Sequence, residues 1–304
     1  MGAASGDLAD GIPSPHMVSA AWWTARVLST GRTRRAQLQA SYLTVPTGGA
    51  VRAEDMLSAE RLLVAAGLAV EEVDGLAPTN ELLLLAKLDS RAFCQGFLVA
   101  FLAATSPVWL AGAAADGRVR KELIPANAMA ALAESLPDDW IQRRSLTVAA
   151  SAVRRERQAE IGLRGEQTVL LAVVGLLADA GCADLADRVA QVSLLSSSYG
   201  YDIWAPTPTG GSLHLEVKTC AARTPYHVHL TRYEAEVAGC DTDWRLVICA
   251  VEPGGALEVA GLCDWEGLRD CVPIDARACC RWESAELTIA TGQLAPTASL
   301  FGGS

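Results

Sequence analysis

The chain has 304 residues, of which 51% are hydrophobic and 20% charged, so a folded protein with room for two domains is expected and disorder is excluded as its main state. Its 35 acidic residues outnumber 25 basic ones and give a net charge of −10, which excludes a polycation that coats nucleic acid and restricts any such contact to a local patch. Nine cysteines without a Cys-x-x-Cys pair, and the absence of a secretion-signal pattern, predict a reduced cytoplasmic protein.

The N-terminal half has a mainly helical pattern. Residues 1–20 contain glycine, serine and two prolines with little apolar periodicity, which predicts a mobile tail. Residues 21–142 are predicted to form a mainly helical domain, since their leucines recur near helical spacing. An extended piece from Leu68 to Val73 between two helices would suit a winged-helix arrangement, with a plain helical scaffold as the alternative.

An uncharged stretch from Ala92 to Ala115 is long enough to cross a bilayer. Ser106 and Pro107 interrupt it, and a proline tends to end the helix before it. We therefore expect two buried helices here and no membrane segment, with a membrane span as the alternative.

Six arginines and only two glutamates lie between Arg143 and Arg164, which makes this the most basic part of the chain. Two interpretations stay open. The run is either the solvated face of a helix that links two domains, or a strip that contacts nucleic-acid phosphates. In the second case the contacting residues are Arg154, Arg155, Arg157 and Arg164.

Residues 143–304 are predicted to form this linker helix and a second domain of mixed α and β structure. An apolar helix from Val169 to Ala180 precedes segments with strand patterns and turn residues between them, which indicates an α/β (α+β) fold with helices packed on a sheet. The predicted strands are Val189–Leu195, Tyr201–Ala205, Leu213–Cys220, Val228–Leu230, Trp244–Val251, Leu257–Leu262 and Ala285–Ile289, with a helix from Thr231.

The residues that suggest chemistry lie in a predicted hairpin. Side chains alternate across a strand, so Glu216 and Lys218 share one face, and hairpin pairing can bring the carboxylate of Asp202 beside that of Glu216. Two adjacent carboxylates are a typical Mg²⁺ site, and a bound metal can promote phosphodiester cleavage. Lys218 would orient the attacking water, stabilise developing charge, or act as a base if desolvation lowers its pKa. The alternative is an exposed ion pair on a strand, with Asp202 capping a turn.

The spacing Asp-x(13)-Glu-x-Lys resembles the signature of the PD-(D/E)XK nuclease superfamily, which has the restriction-endonuclease-like fold. Five pieces in this order are similar to one branch, the family named for the C-terminal domain of the plant protein NO VEIN, over about residues 160–252. The pieces are Gly165-Glu166, Val192-Ser193, Gly200-Tyr201-Asp202-Ile203, Glu216-Val217-Lys218-Thr219 and Leu230-Thr231-x-x-Glu234.

The resemblance implies a role for each matching position. Asp202 and Glu216 would be metal ligands, with the Val217 backbone carbonyl as a further ligand. Lys218 would be the catalytic lysine, Glu166 an accessory acid that completes the metal site, and Glu234 an auxiliary catalytic residue.

The function implied is that of a Mg²⁺- or Mn²⁺-dependent deoxyribonuclease, more an endonuclease than an exonuclease, in restriction or phage defence. Its partners would be DNA and an ATPase or helicase, and cleavage of both strands would favour a homodimer. The alternatives are a non-catalytic nucleic-acid-binding protein of the same fold and a structural subunit of a defence or repair complex.

Overall fold

The computed structural model describes residues 8–115, 117–275 and 281–301. They form two compact units, Met1–Glu156 and Arg157–Ser304, here called unit 1 and unit 2. The boundary falls within a helix that runs from Asp139 to Asp179.

Unit 1 is mainly helical, with three short antiparallel hairpins and a core built around Phe93, Phe97 and Phe101. Successive rings of these phenylalanines are 5.8 and 5.9 Å apart between centroids, since residues four positions apart lie on one helix face. The helices are α1 (Pro15–Leu28), α2 (Arg35–Tyr42), α3 (Ala53–Ala65), α4 (Asn80–Leu85), α5 (Ser90–Thr105), α6 (Val108–Ala113), α7 (Ala126–Ser135) and α8 (Asp139–Asp179). The hairpins are β1 (Leu8–Ala9) with β2 (Ile12–Pro13), β3 (Ala69–Glu72) with β4 (Gly75–Pro78), and β5 (Ala114–Ala115) with β6 (Arg118–Val119).

The prediction of a tail over residues 1–20 is wrong for residues 8–20, and residues 1–7 lie outside the described part of the chain. Helix α1 has proline at its start, and the Ser14 side chain accepts a hydrogen bond from the Met17 N–H at 3.3 Å. Met17 and Val18 are buried in the unit 1 core. Tertiary packing therefore orders a segment whose apolar periodicity is weak.

The uncharged stretch forms two helices, as predicted, but the second is only partly buried, with Leu110 and Ala113 as its buried residues. Asp89 caps α5 by accepting a hydrogen bond from the Ala92 N–H at 2.9 Å. The helix ends at Ser106, which has a left-handed backbone (φ 42°), and Pro107 precedes α6. The proline thus separates two helices that are each too short to span a bilayer.

The extended piece predicted around Leu68–Val73 is the hairpin β3–β4, which follows α3 and precedes α4. Arg34, between α1 and α2, forms a single antiparallel bridge to Gly75 of this hairpin. The exposed residues Glu71, Glu72 and Asp74 make the hairpin acidic, which does not suit contact with DNA phosphates.

Helix α8 contains an 18-residue stretch that is long and apolar enough, by length and composition, to cross a membrane. The mean hydropathy of this stretch is 1.5, and 22% of it is buried. Its residues Val169, Val173 and Leu177 are fully buried in the core of unit 2. Because core helices and membrane-spanning helices both have this length and hydropathy, the stretch does not indicate the cellular compartment of the protein.

Unit 2 contains a five-stranded mixed sheet in the order β12-β11-β9-β8-β7 and a separate antiparallel pair, β10 with β13. Strands β9 and β11 are parallel, and the other neighbours in the sheet are antiparallel. Its elements after α8 are α9 (Ala183–Ala186), β7 (Ala190–Gln191), β8 (Ile203–Pro206), β9 (Ser212–Ala221), β10 (Tyr226–Thr231), α10 (Arg232–Cys240), β11 (Trp244–Val251), β12 (Leu257–Cys263), α11 (Trp265–Leu268) and β13 (Ser284–Ile289).

The strand predicted over Val189–Leu195 is largely wrong. Only β7 pairs there, and residues Val192–Leu194 form a 3₁₀ turn. The backbone N–H groups of Val192 and Ser193 both donate to the carbonyl of Asp202, at 2.8 and 3.2 Å, which curls the chain at this point. The apolar run therefore ends in a turn beside Asp202.

Strand β9 separates two cores because its side chains alternate, as predicted. Leu215 and Val217 pack with Val169 and Val173 of α8 on one face. On the other face, where His214, Glu216 and Lys218 lie, the register pairs β9 with Trp244, Leu246 and Ile248 of β11, which belong to the second core. This face of β9 carries the candidate site.

Candidate active site

Asp202 lies immediately before β8, and the backbone of β9 holds its carboxylate. Its N–H donates to the Leu215 carbonyl at 2.9 Å, and its Oδ2 accepts a hydrogen bond from the Val217 N–H at 2.8 Å. The carboxylate therefore sits against the residue that follows Glu216. The register pairs Ile203 with Leu215, which places Asp202 at the end of the antiparallel ladder.

Glu216, which is buried, and Lys218, which is partly buried, form an ion pair on β9. Lys218 Nζ lies 2.7 Å from Glu216 Oε1 and 3.1 Å from Glu234 Oε2. Glu216 is only 3% exposed, which is unusual for a carboxylate unless it is paired. The predicted pair on a shared strand face is present, and it is not the exposed pair of the alternative, because Glu216 is buried and Lys218 is partly buried.

Glu234 reaches Lys218 from the first turn of α10. Thr231 and Glu234 form a capping box, in which Glu234 Oε2 accepts a hydrogen bond from the Thr231 N–H at 2.8 Å and Thr231 Oγ1 accepts one from the Glu234 N–H at 3.3 Å. The oxygen that completes the helix cap is the one that binds Lys218. The capping box of Thr231 and Glu234 thus orients the Glu234 carboxylate toward Lys218.

Glu166, on α8, is held by the last residue of β7 and by one residue of the turn after it. Its Oε2 accepts hydrogen bonds from Gln191 Nε2 at 2.8 Å and from Ser193 Oγ at 2.6 Å. Ser193 belongs to the Val-Ser pair noted in the sequence, whereas no local pattern marks Gln191. Both contacts orient the carboxylate, and its negative charge contributes to raising the pKa of Asp202.

The pKa values of these groups follow from burial and mutual repulsion. Burial raises the pKa of Asp202 to about 6, against the hydrogen bond from Val217 that lowers it. Burial likewise raises the pKa of Glu216 well above its ordinary value, although the Lys218 ammonium opposes the rise. For Lys218, burial acts to lower the pKa, but Glu216 and Glu234 outweigh it and the pKa is raised. The raised pKa favours the ammonium form of Lys218, which suits the orientation of water or the stabilisation of charge better than the role of a base.

The donor set fits a hard divalent cation. Mg²⁺ and Mn²⁺ prefer carboxylate oxygens. Repulsion from Asp202 contributes to the raised pKa of Glu216, and repulsion from Glu166 and Glu234 to that of Asp202, and a cation would relieve this repulsion. Within residues 8–115, 117–275 and 281–301, no group of three or more His, Cys, Asp or Glu side chains is arranged to hold a metal ion. Mg²⁺ sites commonly use one or two protein carboxylates together with waters and phosphate oxygens, so this finding is compatible with the fit.

Gly165 allows α8 to approach β9 closely. A Cβ atom at this position would lie 1.9 Å from Thr219 Oγ1, one residue beyond Lys218. Any larger residue here would require the Thr219 side chain, the helix or the strand to shift. The Gly-Glu pair in the sequence thus has a packing role, because it brings Glu166 toward the sheet.

We expect Gly165→Ala to lower the free energy of unfolding by about 1–3 kcal/mol, because the new methyl group collides with Thr219. Gly175→Ala is the matched control on the same helix, since nothing lies within 4 Å of a Cβ there. The free energy of unfolding of Gly175→Ala should rise by up to about 1 kcal/mol, because alanine has a higher helix propensity than glycine. Urea unfolding measures both, and equal effects of the two variants would contradict the close approach.

The four arginines predicted to contact nucleic acid are all exposed. In unit 1, Arg154 donates to the Ala114 carbonyl at 3.1 Å, and in unit 2, Arg164 donates to the Gly255 carbonyl at 3.3 Å. Arg155 and Arg157 are solvated. The phosphate-contacting role of these residues stays a prediction.

A hydrogen-bonded chain on β9 was not predicted. His214 Nδ1 lies 2.5 Å from Asp241 Oδ2, and His214 Nε2 lies 3.2 Å from Ser212 Oγ. The order resembles a serine-hydrolase triad, but the nearby N–H groups of Gly210 and Gly211 already donate to Thr207. These amides are not available as an oxyanion pocket. Sequence spacing could not reveal the chain because Asp241 lies beyond α10.

Comparisons of the chain with protein-family models, with curated proteins and with solved structures find no match. The resemblance to nucleases therefore depends on the residues described above and on their geometry.

Proposed function

We propose that unit 2 is a metal-dependent nuclease domain of the restriction-endonuclease-like fold, which hydrolyses phosphodiester bonds of DNA as an endonuclease. The observation that carries this proposal is the grouping of the partly buried Asp202 and the buried Glu216, two carboxylates with raised pKa values, with the ammonium of Lys218. Glu166 and Glu234 add two oriented carboxylates to the same region.

Asp202 and Glu216 would hold the cation, with the Val217 carbonyl as a further ligand, and Glu166, whose Oε2 is bound by Gln191 and Ser193, would be an accessory acid beside it. When bound, Mg²⁺ or Mn²⁺ polarises the phosphate and lowers the pKa of a bound water. Lys218 supplies a positive charge that is fixed in place by Glu216 and Glu234. Its role is to stabilise negative charge that develops on the phosphate oxygens, because its raised pKa makes it a poor base.

In this proposal unit 1 recognises DNA or a partner protein, and the chain acts in the cytoplasm in restriction or phage defence with an ATPase or helicase. A homodimer would allow both strands to be cut. The acidic hairpin β3–β4 favours a protein partner over DNA for that part of unit 1.

The second candidate is a non-catalytic protein of the same fold that binds nucleic acid or a partner subunit. It is favoured by the ion-pair network in which Lys218 contacts both Glu216 and Glu234, since such networks also occur as purely structural features. The filled catalytic positions favour the enzyme.

The test is cleavage of supercoiled plasmid and of linear DNA by the full chain, with Mg²⁺, with Mn²⁺ and with EDTA. The enzyme predicts nicked or linear product only when metal is present, and loss of product in Asp202→Asn. Asp184→Asn, an exposed aspartate of the same unit, should cleave like the wild type. Binding of DNA without cleavage under any metal condition would favour the second candidate.

A further inference from the structure

A groove of unit 1, between the end of α1 and the end of α2, is lined by two arginines and a tryptophan. It consists of two adjoining cavities of about 390 and 340 Å³, which share Arg32, Ser41 and Thr44. Trp23 and Arg26 line the larger cavity, and we call the whole the arginine groove. Among the described residues, no Asp or Glu lines either cavity, although the chain has a net charge of −10. The groove is therefore a cationic hollow on an acidic protein.

The two arginines of the groove are not neutralised by carboxylates. Both are exposed, neither forms a salt bridge with a residue that the structure describes, and residues 11–53 around them contain no Asp or Glu. The Arg26 guanidinium lies over the Trp22 ring, 5.3 Å from its centroid, and Arg32 Nη1 donates to Ser41 Oγ at 3.1 Å. These contacts hold the guanidinium planes and leave their other N–H groups for an anion.

Hydroxyl groups of the groove cover backbone carbonyls at the two helix ends. Ser29 Oγ donates to the Arg26 carbonyl at 2.7 Å, and Thr44 Oγ1 donates to the Ser41 carbonyl at 2.9 Å. Free carbonyls at a helix C-terminus repel anions, and these hydrogen bonds satisfy two of them. The arginines therefore set the charge of the groove. The hydroxyl oxygens can still accept hydrogen bonds, for example from the hydroxyl of a sugar.

We propose that the arginine groove binds a nucleoside phosphate, with the phosphate on Arg26 and Arg32 and the base stacked on Trp23. Guanidinium groups form charge-assisted hydrogen bonds with phosphate oxygens, and an aromatic side chain stacks on a base of any identity. An acidic peptide would satisfy the charges alone, whereas a nucleotide supplies an anion and a flat ring together. The ligand is a free nucleotide or one nucleotide of a strand. This inference concerns unit 1 and does not depend on cleavage by unit 2.

The test measures binding to the full chain in EDTA, so that no strand is cut. Fluorescence anisotropy gives Kd for two probes, a nucleoside triphosphate labelled on its ribose and a short labelled single strand of DNA. At least one probe should bind, and the tighter one identifies the source of the ligand. For that probe, Arg32→Gln should raise Kd about ten-fold, and Arg26→Gln/Arg32→Gln should raise it further. Trp23→Leu should raise Kd about ten-fold through the loss of stacking.

Arg61→Gln is the matched control and should bind like the wild type, because Arg61 is an exposed arginine of α3 that lines neither cavity. The unlabelled probe should displace the labelled one at a concentration about ten-fold lower than inorganic phosphate or a glutamate-rich peptide requires. Circular dichroism checks that each variant is folded.

Three results would overturn the inference: no binding of either probe, an unchanged Kd in the double arginine variant, or displacement by the peptide or by inorganic phosphate as efficient as by the unlabelled probe. Efficient displacement by the peptide would assign the groove to a protein contact. All of these variants change unit 1 and the assay contains no metal, so the outcome is separate from the cleavage assay that tests the proposed function.

Discussion

Replacing Lys218 with methionine is expected to lower the rate of metal-dependent cleavage by about 10²–10³-fold, the usual effect of removing one preorganised charge from an active site. Lys218 is the only lysine in unit 2, and both of its carboxylate partners are oriented by the fold. Its loss removes a positive charge that no neighbouring residue of β9 can replace. Initial rates with saturating metal measure the effect.

Two controls separate this loss from unfolding. Lys87→Met removes an exposed lysine of unit 1 and should leave the rate unchanged. Lys218→Met leaves Glu216 buried without its cation, so the double variant Glu216→Gln/Lys218→Met removes that charge and should be more stable than Lys218→Met alone. If Lys218→Met keeps a third or more of the wild-type rate, Lys218 has no role in the transition state.

The second large effect concerns stability and metal binding at Asp202. Its pKa in the folded protein is about 6, above the ordinary value of 3.8, so between these values the folded state binds more protons than the unfolded state. The stability contributed by the protonated group is fully present below about pH 4 and is lost as pH rises through about 6. Without metal at pH 8, Asp202→Asn should therefore have a free energy of unfolding about 3 kcal/mol higher than the wild type and should unfold at a higher temperature.

The asparagine retains an oxygen that can accept the Val217 hydrogen bond, so the change isolates the charge. The difference from the wild type should shrink below pH 5, where Asp202 is protonated. Mn²⁺ should raise the Tm of the wild type at pH 8 and leave that of Asp202→Asn unchanged, because the cation binds the charged carboxylate. Thermal unfolding by circular dichroism at pH 5 and pH 8 measures these shifts. A lower Tm for Asp202→Asn at pH 8, or an equal rise with Mn²⁺ in both proteins, would contradict a charged metal ligand at Asp202.

Local sequence signals predicted the parts of the site that depend on neighbours in the chain. Alternation along β9 placed Glu216 and Lys218 on one face, and the hairpin spacing placed Asp202 beside them. The helix predicted from Thr231 is α10, which Thr231 caps. Each of these signals depends on contacts within a few residues, or on one turn that joins two strands.

Errors occurred where packing against distant residues decides the conformation. The apolar run Val189–Leu195 was predicted as a strand, but the Asp202 carbonyl draws its backbone into a turn. The N-terminal residues 8–20 were predicted as a tail, but α1 buries its apolar face in unit 1. In both cases the deciding partner lies elsewhere in the chain.

The sequence by itself determined the mixed α/β character of the second half, the shared strand face of Glu216 and Lys218, and the two helices broken at Pro107. Only the tertiary structure decided that Glu234 and Glu216 both contact the Lys218 ammonium. It alone decided that Gln191 and Ser193 orient Glu166, and that Gly165 allows close packing of α8 on β9. The tertiary structure also raises the pKa values of Asp202, Glu216 and Lys218. Periodicity and caps arise between residues close in the chain, whereas desolvation and Coulomb interactions depend on every group that folding brings near, whatever its sequence separation.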